Sequence, residues 1–146
     1  MRIKSYTFMT GLILQNKEFE RFFTNKINQT DISLRETKAY IQGIFTSYIR
    51  SENDLSKESI TLQYIEANSR YDFAQFQNLA DWVFFIRTVY PDSIKASPEY
   101  YNAIAQCSYY RCYIIMDRQW RCFEELADRF DYFVENIRFL SHSTLS

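Results

Sequence analysis

Apolar residues along this chain recur mostly at steps of three and four, the spacing of one face of a helix. The clearest run is Trp120, Phe123, Ala127, Phe130, Val134 and Ile137, with Arg121, Glu125, Arg129 and Glu135 on the opposite side. It predicts an amphipathic last helix with Asp117 as its cap. Leu34, Ile41, Ile44, Phe45 and Tyr48 trace a second face over residues 33–51, and Ser33-Leu34-Arg35-Glu36 reads as a capping box at its start. Phe73, Phe76, Ala80, Val83 and Tyr90 mark another helix, closed by Pro91. Trp82 and Phe85 add rings on its other sides, so it is apolar nearly all round and predicts the central helix. Ser97-Pro98, an N-cap followed by a first-turn proline, opens a helix carrying Tyr101, Ile104, Ala105, Cys112 and Ile115.

Two segments are less determinate. Met9, Leu12, Ile13, Phe19, Phe23 and Ile27 fit helical spacing, although the threonine and aromatic content of residues 6–10 also suits a strand. Ile60, Leu62 and Tyr64 alternate as in a strand, while Ile60, Tyr64 and Ala67 fit a helix. A lone strand would have no partner, so helix is preferred there, capped by Ser56 and turning near Asn68-Ser69-Arg70. No repeat or linker interrupts the pattern. The expectation is an all-α, single-domain bundle of five to six helices over residues 1–140, followed by a flexible polar tail, 141–146.

Composition narrows the chemistry. Of 146 residues 13 are Phe, 12 Tyr and 2 Trp, whereas His142 is the one histidine, so the chain is rich in ring surface and poor in acid-base equipment. Two glycines and two prolines are too few for an all-β protein with many tight turns. A net charge of −1 announces neither nucleic acid nor membrane, and no segment reaches the roughly 20 apolar residues of a bilayer span. The apolar run through Leu14 imitates a signal peptide but lacks a small-residue cleavage site. Cys107, Cys112 and Cys122 are odd in number and match no zinc spacing, which implies a reducing, cytoplasmic setting with no metal and no cofactor.

Leu79-Ala80-Asp81-Trp82-Val83-Phe84-Phe85, then Tyr90-Pro91-Asp92, Tyr100-Tyr101 and Ser108-Tyr109, form an Asp before an aromatic-rich helix, a Pro-acidic stop and a Tyr-Tyr helix. With Phe123 to Phe130 downstream, the pattern resembles a group of small all-helical bacterial proteins of unassigned function, over residues 76–140. The resemblance implies the all-helical class and no catalytic residue. Thr88 and Ala105 stand where that group favours glycine.

Asp81 is the most informative polar residue, because a carboxylate within an apolar helix is costly without partners. It reads either as a pocket acid with a raised pKa or, preferably, as a structural group that caps a helix or bonds a Tyr hydroxyl or an Arg. Arg87, one turn before Pro91, is the second such group: it would clamp an anion or, preferably, satisfy the helix end or pair with an acid. Tyr100, Tyr101, Tyr109, Tyr110 and Tyr113 crowd one helix too densely to share one core, and with Trp82 and Phe85 they form the expected interaction surface. Glu124, Glu125, Asp128, Asp131 and Glu135 read as a solvated face, since the Glu-x-x-His of a di-metal bundle is absent. The leading expectation is a non-enzymatic protein that binds protein, either itself or another subunit. The alternatives are a small-molecule or catalytic site built from Asp81, Arg87 and Tyr101, and then a weak nucleic-acid binder using the basic N-terminal third with Arg111, Arg118 and Arg121.

Overall fold

The structure is a computed structural model that describes residues 16–50, 59–94 and 97–138. Its helices are α1 (Asn16–Gln29), α2 (Arg35–Arg50), α3 (Ile60–Arg70), α4 (Phe73–Val89), α5 (Pro98–Ile115), α6 (Arg121–Asp128) and α7 (Phe130–Ile137), with one 3-10 turn, Pro91–Ser93, after α4. The described residues are thus all-α and contain no strand, but they hold seven helices where five to six were expected. The expectations for residues 6–14, Ser56 and the 141–146 tail lie outside the described residues.

The extra helix comes from the C-terminal stripe, which is broken at Arg129 (φ −114°, ψ 22°) into α6 and α7. Periodicity cannot see this break. The Arg129 amide still donates to the Glu125 carbonyl and the Phe133 amide to the Arg129 carbonyl, both at 2.9 Å, so the apolar face keeps its phase. Asp117 does not cap the stripe. It and Arg118 both take φ of 58° and reverse the chain, and α6 begins after Trp120 with no side-chain cap.

The ambiguous segment at residue 60 is helical because Ser59 Oγ accepts from the Thr61 and Leu62 amides, at 3.2 and 3.4 Å, while Ile60 and Ala67 are buried. α3 ends at Tyr71 in the left-handed conformation (φ 51°). Asp72 follows at once as the cap of α4, its Oδ1 accepting from the Ala74 and Gln75 amides. One two-residue corner therefore stops one helix and starts the next.

α4 lies at the centre, packed against α2, α3, α5 and α7. Phe76, Leu79 and Ala80 are buried in its first half, and every residue from Trp82 through Tyr90 is buried after them. Rings then connect the helices across the core. Phe23 of α1 stacks on Phe45 of α2 at 4.5 Å, Phe45 meets Phe84 of α4 at 6.1 Å, and Phe84 meets Phe130 of α7 at 5.5 Å. Phe130 meets Tyr109 of α5 at 6.2 Å, and Tyr109 meets Phe123 of α6, also at 6.2 Å. Such pairs add to the burial of the rings themselves.

The capping box at residue 33 does not form as expected. The Ser33 and Leu34 amides donate instead to Glu125 of α6, at 2.7 and 3.2 Å, so a carboxylate distant in sequence caps α2. Glu125 is 8% exposed, which corrects its assignment to a solvated face. Its burial works to raise its pKa, but the hydrogen bonds it accepts outweigh this and hold the carboxyl below its ordinary value. Replacing Glu125 with Ala should lower stability by about 1–3 kcal/mol in urea unfolding, because two helix-start amides lose their acceptor. Glu124→Ala, at a surface pair with Arg121, should change it by no more than about 0.5 kcal/mol.

Candidate functional site

Helical spacing places Tyr40, Gly43 and Tyr48 of α2 opposite Gln77, Asn78 and Asp81 of α4, and the two rows wall a cleft of about 410 Å³. Asp81 is half-buried in its wall, beside the buried Ile44. Tyr40 donates its hydroxyl to the carboxylate, 2.8 Å from Oδ1 and 3.0 Å from Oδ2, and Tyr109 of α5 donates to Oδ1 at 2.8 Å. Gln77 Nε2 in turn donates to the Tyr40 oxygen at 2.9 Å. Burial pushes the Asp81 carboxyl up, the two phenol hydrogen bonds pull it back, and it settles at about 7. Burial, and then the Asp81 charge, raise the Tyr40 and Tyr109 phenols well above their ordinary value, so both stay protonated donors. A carboxyl of this kind exchanges a proton near neutrality or holds a positive charge. Nothing in the sequence links residues 40, 81 and 109; of the partners expected for Asp81, a helix end, a Tyr hydroxyl or an Arg, the structure supplies Tyr hydroxyls.

Arg87 belongs to a different network. Buried at 6% exposure, it donates from Nε to Asn102 Oδ1 at 2.9 Å, and Asn102 Nδ2 donates to Asp131 Oδ1 at 2.7 Å. Burial, followed by the nearby Arg138, draws its pKa down. Polar side chains therefore tie α4, α5 and α7 together, with the exposed Asp131 at the outer end of the series. Six helical residues, about 9 Å along the axis, separate Arg87 from Asp81. Tyr101 is half-buried against the core and does not line the Asp81 cleft, so the expected Asp81, Arg87 and Tyr101 pocket does not assemble.

The expected aromatic surface divides. Trp82, Phe85 and Tyr109 are buried and cannot serve it, because α4 is enclosed by its neighbours and Tyr109 turns inward to Asp81. Tyr101 and Tyr113 are half-buried, and Tyr100 and Tyr110 are exposed. The structure adds Leu62 and Ile65 of α3, which are 59% and 56% exposed, together with Tyr71. The signal for Leu62 is its place two residues after Ile60, which turns it away from the core side of the helix. Between α3, α5 and α6 runs a groove of about 500 Å³ lined by Tyr64, Cys107, Tyr110, Arg111 and Asp128. Among the described residues no cluster of acidic, His or Cys side chains is suited to a metal, and no helix is long and apolar enough to cross a membrane.

No family model, curated protein or solved structure matches this chain.

The Asp81 carboxyl makes a signed pH prediction. Its pKa is raised from 3.8 to about 7, so the folded state takes up a proton between those values and loses stability as pH rises through them. Asp81→Asn keeps an oxygen for the phenols and removes the titration. The difference in urea midpoint between wild type and variant should move against the wild type across that window; a constant difference would show that the carboxyl is not held in a desolvated site.

Proposed function

We propose that this chain is a non-enzymatic protein of the cytoplasm that works by binding protein, namely a second copy of itself, through the face formed by α3 and α5. The observation that carries the reading is the pair Leu62 and Ile65, more than half exposed and three residues apart on one helix. Single exposed apolar residues are ordinary, but here Tyr71, Tyr100 and Tyr110 accompany them, and α3 and α5 are joined by the Thr61 and Tyr100 hydroxyls. Tyrosine supplies rigid area with a hydrogen-bonding tip. A contact between two copies must be self-complementary, and among the described residues this face carries both signs of charge, Glu66, Glu99 and Asp128 with Arg70 and Arg111. Two copies can therefore set unlike charges against each other across the contact.

Size-exclusion chromatography with light scattering should show a dimer, and Leu62→Glu and Ile65→Glu should each convert it to a monomer of unchanged helicity. Such exposed substitutions cost about 0.5 kcal/mol or less in the folded monomer, so dissociation is not unfolding. Cys107, exposed in the groove, should react with a maleimide more slowly as protein concentration rises. A wild-type monomer at every concentration would sink the proposal.

A further inference from the structure

The cleft beside Asp81 is unlike the α3–α5 face: it is concave, holds a carboxylate in its lining and is walled by fixed rings. Tyr48 stacks on Phe85 at 5.0 Å, and Tyr40 stands edge-on to Phe123 at 5.4 Å, so neither ring is free to fill the space between α2 and α4. Gly43 leaves it open. A Cβ built there meets nothing within 4 Å, so packing does not require the glycine, which is a poor helix former within α2.

The charge balance of the cleft selects its ligand. Among the described residues neither Lys nor Arg lines it, and the partners of Asp81 there are phenols. Oδ1 takes two hydrogen bonds, while Oδ2 takes only the longer arm from Tyr40, which leaves it capacity to accept another donor. An anion would meet the carboxylate with no base to offset it. An apolar ligand would cover the carboxylate without pairing it. A cation with N–H donors satisfies Oδ2 and lies against aromatic faces. We propose that this cleft binds a small organic cation, an amidinium or primary ammonium, seated on Asp81 between Tyr40 and Tyr48. The volume of about 410 Å³ suits a ligand of that size.

The groups that face Asp81 are Tyr40 and Tyr48 from α2 and Tyr109 and Cys112 from α5, and all are pushed toward their neutral forms, by burial first. Asp81 is thus the group that titrates, at about 7, and cation binding should tighten by about ten-fold from one pH unit below that value to one above. The test is an NMR titration of the full chain with benzamidinium, charged throughout, and benzamide, its uncharged isostere. Benzamidinium should shift the Gly43 and Asn78 amides saturably, with benzamide at least ten-fold weaker. Asp81→Asn should weaken benzamidinium at least ten-fold, and Gly43→Leu, which fills open space on a helix, should block it while unfolding remains cooperative. The absence of a saturable shift, equal binding of benzamide, or binding unchanged in either variant would overturn the proposal. Should Asp81→Asn fail to fold, Gly43→Leu and the benzamide comparison decide it. Self-association through α3 and α5 is read separately by light scattering, so either proposal can fail without the other.

Discussion

The Asp81 carboxylate, shared between the phenols of Tyr40 and Tyr109, joins the three helices on which the rest of the structure depends. A carboxylate drawn into a helical bundle is costly unless donors meet it, and the donors here come from α2 and α5 while the acid comes from α4. The rings that carry those hydroxyls are core rings. Tyr109 packs on Phe123 and Phe130, and Tyr40 packs on Phe123, so moving a hydroxyl away from Asp81 also moves the ladder of rings that spans the bundle.

α4 shows why polar contacts matter to a helix of this kind. From Trp82 to Tyr90 it is buried all round, so that half of the helix has no wet face of its own to restrict its rotation. Its polar side chains Asp81 and Arg87 remove that freedom. Asp81 must reach Tyr40 and Tyr109, and Arg87, about 9 Å further along the axis, must reach Asn102. Only one rotation meets both demands. Glu125 acts likewise at the start of α2, where it fixes α6 against the end of a helix.

What can be read from the sequence follows from what periodicity measures. Steps of three and four mark the buried side of a helix, which is why α2, α4 and α5 begin and end close to their expected limits, and why Ser97 and Pro98 open α5. They carry no information about which helix lies opposite. Glu125 therefore reads as a surface acid, because its partners, the Ser33 and Leu34 amides, are 92 and 91 residues away. Tyr40 carries no signal of its role for the same reason. The break at Arg129 is hidden because the hydrogen bonds on either side of it preserve the phase of the stripe.

The aromatic surplus resolves into two populations with one helix between them. Tyr109 and Tyr110 are neighbours on α5: the first is fully buried and bonded to Asp81, and the second is exposed in the groove beside Arg111. Successive residues of a helix point about 100° apart, so one helix serves the core and the surface at the same level. The density of tyrosines on α5, too great for a single core, is explained by this division. A helix whose inner tyrosine holds the central carboxylate and whose outer tyrosine lines a groove sets the position of both from a single rotation, and any shift of α5 relative to Asp81 is a shift of the groove wall as well.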